Sequence, residues 1–267
     1  MKSYRFKSLS SGSCGNCYFL GIFDEDGRCE CGVLIDAGVS PRRLKKELAK
    51  EGLDFDCFSG ILITHDHLDH IRALGSYCKH VRKPVWTTRT LHNALARHMV
   101  TRDHIGSYRR ELKEGWNEII EGRVRVRYFI VPHDAKQTVG YAISLDDYKF
   151  VIMTDIGHMT KEALDLAAQA DTVVIESNYD HHMLLHGPYP KELQDRIRGG
   201  QGHLSNDECA AAIYEFEHEG LRNVFLCHLS EHNNTAELAH RCSRKVLPPE
   251  IRLAPLPRAT ASAMFEL

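Results

Sequence analysis

No stretch of the 267 residues approaches the roughly 20 consecutive apolar positions that a spanning helix needs, so no membrane span is expected. The opening Met1-Lys2-Ser3-Tyr4-Arg5-Phe6 turns polar too soon for a secretory signal, which leads to the expectation of a cytoplasmic protein. Internal repeats, low-complexity tracts and Pro/Gly/Ser linkers are absent, which argues against a fibrous or disordered chain. A surplus of one charge is lacking too. The 34 Lys and Arg against 36 Asp and Glu give a net charge of −2, so attraction to any polyanion has to be local. An even cysteine count is also missing. Nine cysteines, at 14, 17, 29, 31, 57, 78, 209, 227 and 242, argue against a secreted disulfide framework and for free thiols in a reducing cytosol. Cys14-Gly-Asn-Cys17 has CxxC spacing, with Cys29-Glu-Cys31 close behind. A zinc knuckle is one reading of them, and a glycine-rich turn with strand thiols is the plainer one.

The 43% hydrophobic and 26% charged residues are those of an ordinary globular protein, long enough for one large α/β domain or two small ones. Short β-prone runs bounded by Gly, Asp or Pro are expected at 4–9, 17–22, 32–35, 60–64 and 84–87. They return at 124–131, 139–145, 149–153, 172–175 and 224–227. Helices are expected at 40–51, where Ser40 caps and Pro41 opens the first turn, and at 88–98, 161–169, 191–198, 207–219 and 235–243. Strands and helices in both halves predict an α/β protein of two sheets packed face to face with helices outside, one domain over 1–267.

The unusual abundance is histidine, with 17 residues, which turns the search toward metals. Thr64-His65-Asp66-His67-Leu68-Asp69-His70 follows directly on apolar Gly60-Ile61-Leu62-Ile63. Imidazoles two apart on an extended segment point the same way, so His65 and His67 can grip one cation. Asp69 and His70, where the chain turns, are placed to hold a second beside it. Mixed imidazole and carboxylate ligands suit zinc, manganese or iron. A histidine-rich surface loop is the alternative. It fits poorly with four ligand-type residues crowded at the mouth of a buried strand.

This HxHxDH run resembles the signature of the metallo-β-lactamase superfamily, whose fold is a four-layer αββα sandwich. The resemblance implies that Asp36, in Leu34-Ile35-Asp36-Ala37-Gly38, supports the ligand loop from behind. It implies His133 as the third histidine of one metal site, His228 as the last histidine of the other, and Asp155 as the bridging aspartate. The implied cofactors are two divalent ions, one held by His65, His67 and His133, the other by Asp69, His70 and His228. Such a pair activates a hydroxide, which Asp69 and Asp155 would orient. Gly202-His203-Leu204-Ser205 and Leu226-Cys227-His228-Leu229-Ser230 resemble paired motifs of the tRNase Z-like phosphodiesterases, in which the extra histidine protonates the leaving oxygen. His203 is thereby the candidate general acid. Ser205 and Asn206 could hold a substrate phosphate, or Ser205 or Asn206 could simply cap the helix that follows.

The resemblance narrows to the WalJ/YycJ group of bacterial metallo-hydrolases through Leu9-Ser10-Ser11-Gly12-Ser13 with Gly15-Asn16, Asp36 to Ser40, Val139-Gly140-Tyr141 and Glu176 to Asp180. Gly187 to Pro190, Gly202 to Asn206 and Cys227 to Asn234 extend it over nearly the whole chain. Cysteines at 14, 17 and 227 depart from the expected pattern. That group implies a DNA-directed 5′→3′ exonuclease whose partner is nucleic acid with a 5′ end. A small-molecule phosphodiesterase of the cyclic nucleotide type would share every ligand. A regulatory protein with a structural metal site is a third reading. The interval between Asp155 and His228 is too short for a β-CASP insertion. Candidate contacts to a polyanion are Arg42-Arg43 with Lys45-Lys46, Lys79 to Lys83, and Arg196 with Arg198. The Tyr179 to Tyr189 segment could stack bases or form a packed lid.

Overall fold

The structure, a computed structural model, describes residues 2–267. Its first sheet contains β1 (Ser3–Gly12), β2 (Gly15–Phe23), β3 (Cys29–Ile35), β4 (Gly60–Leu62), β5 (Val85–Thr87) and β6 (Arg109–Glu111), side by side in that order. The second contains β7 (Asn117–Ile120), β8 (Val124–Val131), β9 (Thr138–Leu145), β10 (Tyr148–Met153), β11 (Thr172–Glu176), β12 (Asn223–Cys227) and β13 (Arg252–Pro255). A last strand, β14 (Phe265–Glu266), returns to pair with β1. Each sheet begins as an antiparallel meander and continues as parallel strands. β1 to β3 and β7 to β10 are antiparallel. β3 to β6 and β10 to β13 are parallel.

Alternation along the strands explains the layers. Phe6, Tyr18, Leu20, Val33 and Leu62 of the first sheet meet Tyr141, Phe150, Ile152, Val174 and Phe225 of the second in one buried cluster. At its centre the Phe6 ring lies 5.4 Å from that of Phe150 and 5.1 Å from that of Phe225. The intervening residues face outward onto helices. Phe19, Leu34 and Ile61 pack with α1 (Pro41–Ala49), the short α2 (Leu68–Ile71) and α3 (Leu74–His80), and with Leu95 at the end of α4 (Arg89–Leu95). Val151, Val173, Val224 and Leu226 pack with residues of α5 (Lys161–Ala167), α8 (Asn206–Phe216) and α9 (Ala236–Arg244). Strands buried on both faces read as unbroken apolar runs, which is why β11 and β12 were legible. Two further helices, α6 (His181–His186) and α7 (Lys191–Arg198), lie between β11 and α8.

The ten expected strands and six expected helices are present, with Ser40 accepting from the Arg43 N–H and Pro41 at the start of α1. β6, β7, β13 and β14 were not foreseen. Arg109-Arg110-Glu111 has no apolar pattern, and its strand exists because β5 offers an edge to pair with. All nine cysteines are free thiols. Cys14 is exposed at the β1–β2 turn, while Cys17 is buried beside Phe19 and Leu34. Among the described residues no cysteine joins a group of potential metal ligands, and no helix is long and apolar enough to cross a membrane.

Candidate metal centre

The residues that carry chemistry sit where strands end. Asp36 follows β3, the 64–70 loop follows β4, and His133 follows β8. Asp155 follows β10, Glu176 closes β11, and His228 follows β12. Among the described residues five non-glycines have positive φ, and three of them are Asp36 at 59°, Asp155 at 57° and His228 at 52°. Left-handed backbone costs about 1–3 kcal/mol at such positions and persists only where the surroundings impose it. Here it turns each side chain off its strand into one buried nest.

Hydrogen bonds behind the imidazoles decide which nitrogen faces that nest. His70 donates through Nδ1 to Asp36 Oδ2 at 2.7 Å. The Thr64 hydroxyl donates to the same carboxylate at 2.8 Å and lies 3.1 Å from His65 Nδ1. His133 donates through Nδ1 to the Gly202 carbonyl at 2.9 Å. His228 and His203 both donate through Nδ1 to Glu176 Oε1, each at 2.8 Å. Fixing Nδ1 as the donor leaves Nε2 as the lone pair, the usual arrangement behind a metal-bound imidazole.

The front of the nest shows what it is shaped for. The Nε2 atoms of His65, His133 and His228 are buried and have no hydrogen-bond partner. An orphaned buried polar atom costs about 1–3 kcal/mol, so three of them among two adjoining groups of ligand-type residues call for ligands. Ligand atoms of His65, His67 and His133 lie within 4.8 Å of one another, and so do those of Asp69, His70 and His228. Asp155 stands between them, with Oδ2 3.2 Å from His70 Nε2 and Oδ1 3.7 Å from His133 Nε2 and 3.3 Å from His228 Nδ1. Asp36, Asp155 and Glu176 are buried, and Asp69 is nearly so. Buried carboxylates need positive charge beside them.

In the protein alone, protons supply that charge. Burial opposes the charged form of His70, yet Asp36, Asp69 and Asp155 outweigh it and push its pKa up to about 10. Burial likewise opposes His228, and Asp155, Asp69 and Glu176 hold it well above the ordinary histidine range. His65 behaves oppositely: burial, then the neighbouring His70, drives it well below its usual value, so it is a neutral donor. Glu176 is pulled down to about 2, because His203 and His228 overcome its burial. A nest of four carboxylates with free imidazole lone pairs fits divalent cations.

Beside this nest a cleft of about 190 Å³ is lined by His203, Tyr189, Arg196 and Ser13, among others. The His203 side chain is 21% exposed, and its ring centre lies 5.1 Å from that of His133. Glu176 overcomes the effect of burial on His203 and raises its pKa above the ordinary histidine value.

The sequence profile of the beta-lactamase superfamily domain matches residues 32–228. The chain belongs to the metallo-β-lactamase superfamily. Among its superfamily relatives it is 31% identical over 242 residues to the exodeoxyribonuclease YycJ of Bacillus anthracis, covering 91% of this chain and 88% of that one. It is 30% identical over 237 residues to the exodeoxyribonuclease WalJ of Streptococcus pneumoniae, covering 89% and 86%. Unliganded yeast PDE1 superposes with a TM-score of 0.73 at 12% identity, covering each chain fully, and shares the superfamily fold. This superfamily protein is a metallo-β-lactamase-fold hydrolase of αββα architecture.

The structure brings His65, His67, Asp69, His70, His133, Asp155 and His228 together, with Asp36 directly behind His70 and His203 at the rim. It corrects the substrate expectation for Ser205 and Asn206. Ser205 is fully buried, and its hydroxyl donates to Glu208 Oε2 at 2.7 Å and accepts the Glu208 N–H at 3.1 Å, a capping box for α8. Asn206 is buried between Ser177 and Asn234, with its amide oxygen accepting from both. Neither side chain is free to meet substrate. Sequence reasoning passed over Glu176, although it ends an apolar strand just as Asp36 and His228 follow theirs. It also passed over Asn16, whose amide nitrogen lies 3.0 Å from Asp69 Oδ2 and 2.8 Å from His70 Nε2.

Gly38 holds this corner open. A Cβ there would stand 1.8 Å from the Asp69 carbonyl oxygen and 2.5 Å from the Asn16 amide nitrogen, both backbone atoms that cannot swing aside. Gly38→Ala is therefore expected to cost at least the roughly 1–3 kcal/mol of overpacking and to displace Asp69. Thermal melting and metal content should fall together. A variant that keeps both at wild-type levels contradicts this account of the corner.

Proposed function

We propose that this hydrolase is a metal-dependent phosphodiesterase that removes nucleotides from the 5′ end of DNA. The observation that carries the reading is His203: a half-buried imidazole at the rim of the ligand nest, held from behind by Glu176 and lining a cleft that adjoins the nest. Hydrolysis of a phosphodiester at neutral pH needs a proton for the departing alkoxide, and a positioned histidine suits that task.

His65, His67 and His133 would hold one divalent ion, Asp69, His70 and His228 the other, with Asp155 shared. When bound, such ions lower the pKa of a water nucleophile and offset charge on the phosphoryl oxygens. The chain supplies the rest. Asp69 and Asp155 accept hydrogen bonds from the attacking water and orient it. Glu176 fixes the His203 ring, so that Nε2 is the nitrogen presented to the leaving oxygen. The names of the YycJ and WalJ relatives support DNA as the substrate.

A second reading, a phosphodiesterase of small or cyclic nucleotides, is favoured by the small volume of the cleft. Digestion of end-labelled single and double strands, compared with a cyclic nucleotide under zinc, manganese and iron, tests both. Processive loss from the 5′ label is the expected result. Turnover of the cyclic substrate alone overturns the exonuclease proposal in favour of the second reading.

A further inference from the structure

Resting on the exonuclease reading, we infer that the cleft beside His203 is the seat of the 5′-terminal nucleotide, and that Arg196 grips its 5′-phosphate while Tyr189 stacks on its base. One wall of the cleft is α7. That helix has no buried residue. Leu193 and Ile197, one turn apart and half-buried, line the cleft together with Arg196. An amphipathic helix whose apolar side chains face a cleft rather than a core contributes little to the fold and is placed to receive a ligand.

The charge arrangement is specific. Arg196 donates through Nε to Asp134 Oδ2 at 2.6 Å, and a second nitrogen of the guanidinium also pairs with that carboxylate. A guanidinium carries five N–H donors, so others remain for a phosphate. Asp134 lies beside the nest, its carboxylate 3.4 Å from His133 Nε2 and 3.5 Å from His67 Nε2. The arginine is thereby tethered at a set distance from the chemistry. Just before α7 the Tyr189 ring also lines the cleft and rests against His232, with centroids 5.8 Å apart, and its carbonyl accepts from the Gln194 side chain at 2.9 Å. A ring braced in this way offers a stacking face to a base.

The chemistry fixes which nucleotide sits there. Water oxygen bonds to phosphorus, the P–O3′ bond breaks, its electron pair goes to O3′, and His203 supplies the proton. That O3′ belongs to the terminal nucleotide when digestion runs from the 5′ end. His203 lines the cleft, so the sugar bearing this oxygen lies in it, with its own 5′-phosphate farther along toward Arg196. At about 190 Å³ the cleft is smaller than the roughly 300–1,000 Å³ that holds a whole drug-sized ligand. It suits one unit of a polymer rather than a folded nucleic acid. A second cleft, lined by Ser13, Cys14 and Arg258, adjoins the first through Ser13.

The test uses the metal-loaded full chain and one oligodeoxynucleotide prepared with either a 5′-phosphate or a 5′-hydroxyl. Wild type should favour the phosphorylated end by about 10-fold in kcat/KM, the low end of the charge-assisted range, because the Arg196 side chain is 64% exposed. Arg196→Gln should bring that ratio close to one, with Arg196→Lys in between. Arg241→Gln on α9 serves as the charge-matched control. Both ends are assayed on one preparation, so any loss acting through Asp134 and the ligands divides out. Tyr189→Ala should raise KM by about 5- to 100-fold for both ends alike, and Tyr189→Phe should not. A wild-type ratio near one, or a ratio that Arg196→Gln leaves unchanged, overturns the inference while the exonuclease reading stands. Failure to digest either oligonucleotide overturns the exonuclease reading itself.

Discussion

His203→Ala is expected to slow DNA digestion by roughly 10²–10⁴-fold, the span of a lost general acid, with both metal ions still bound. The two effects separate because of how Glu176 is shared. Removing the His203 ring leaves Glu176 Oε1 paired with His228 at 2.8 Å, and Oε2 still accepts the Ile156 and Leu204 N–H groups at 2.9 and 3.2 Å. The scaffold behind the ligands therefore survives, and melting temperature and metal content should stay close to wild type. A phosphodiester with a nitrophenolate leaving group, which departs without needing a proton, should lose far less rate than DNA does. Equal losses on both substrates would make His203 a binding or structural residue. Unchanged turnover on DNA would remove it from the mechanism.

Stripping the metals is the second large effect. Asp36, Asp69, Asp155 and Glu176 converge in a nest largely shielded from water, and protons on His70 and His228 compensate them only in part. Ions that bind the folded chain and not the unfolded one stabilise it by RT ln(1 + [L]/Kd), about 4 kcal/mol at a thousandfold excess over Kd. For a chain of this length that corresponds to a fall in Tm of roughly 10 °C on chelation, reversed by adding zinc or manganese back. Differential scanning calorimetry with elemental analysis of each sample checks this. A fully depleted protein that melts at the same temperature would show that the carboxylates are compensated without ions, and the metal assignment would fail.

The candidate nest was visible in the sequence in two ways, a local crowding of ligand-type residues at 65–70 and a resemblance in the order of the later motifs. His65, His67, Asp69 and His70 crowd one loop after one apolar strand, and His133, Asp155 and His228 each follow another. The buried strands and capped helices were legible for a similar reason. Alternating or unbroken apolar runs and a Ser or Thr before a helical pattern are local signals of burial and capping. Where the local signal was weak, reading failed. β6 is charged throughout and forms only because an edge was waiting for it. Ser205 and Asn206 looked available at a helix N-terminus, and it took the capping box with Glu208 and the packing of Ser177 and Asn234 to show otherwise.

The sequence by itself determined the two-sheet sandwich and membership of the metallo-β-lactamase superfamily, and its motifs in order nominated the candidate ligands, because strand patterning and the HxHxDH run are written in short stretches of chain. Only the tertiary structure decided what stands behind and beside those ligands. Glu176 reaches His203 and His228, 27 and 52 residues away. The Gly202 carbonyl orients His133 across 69 residues, and Asp134 tethers Arg196 across 62. Hydrogen-bond direction and the shape of a cleft are properties of atoms brought together by folding, and no spacing along the chain encodes them.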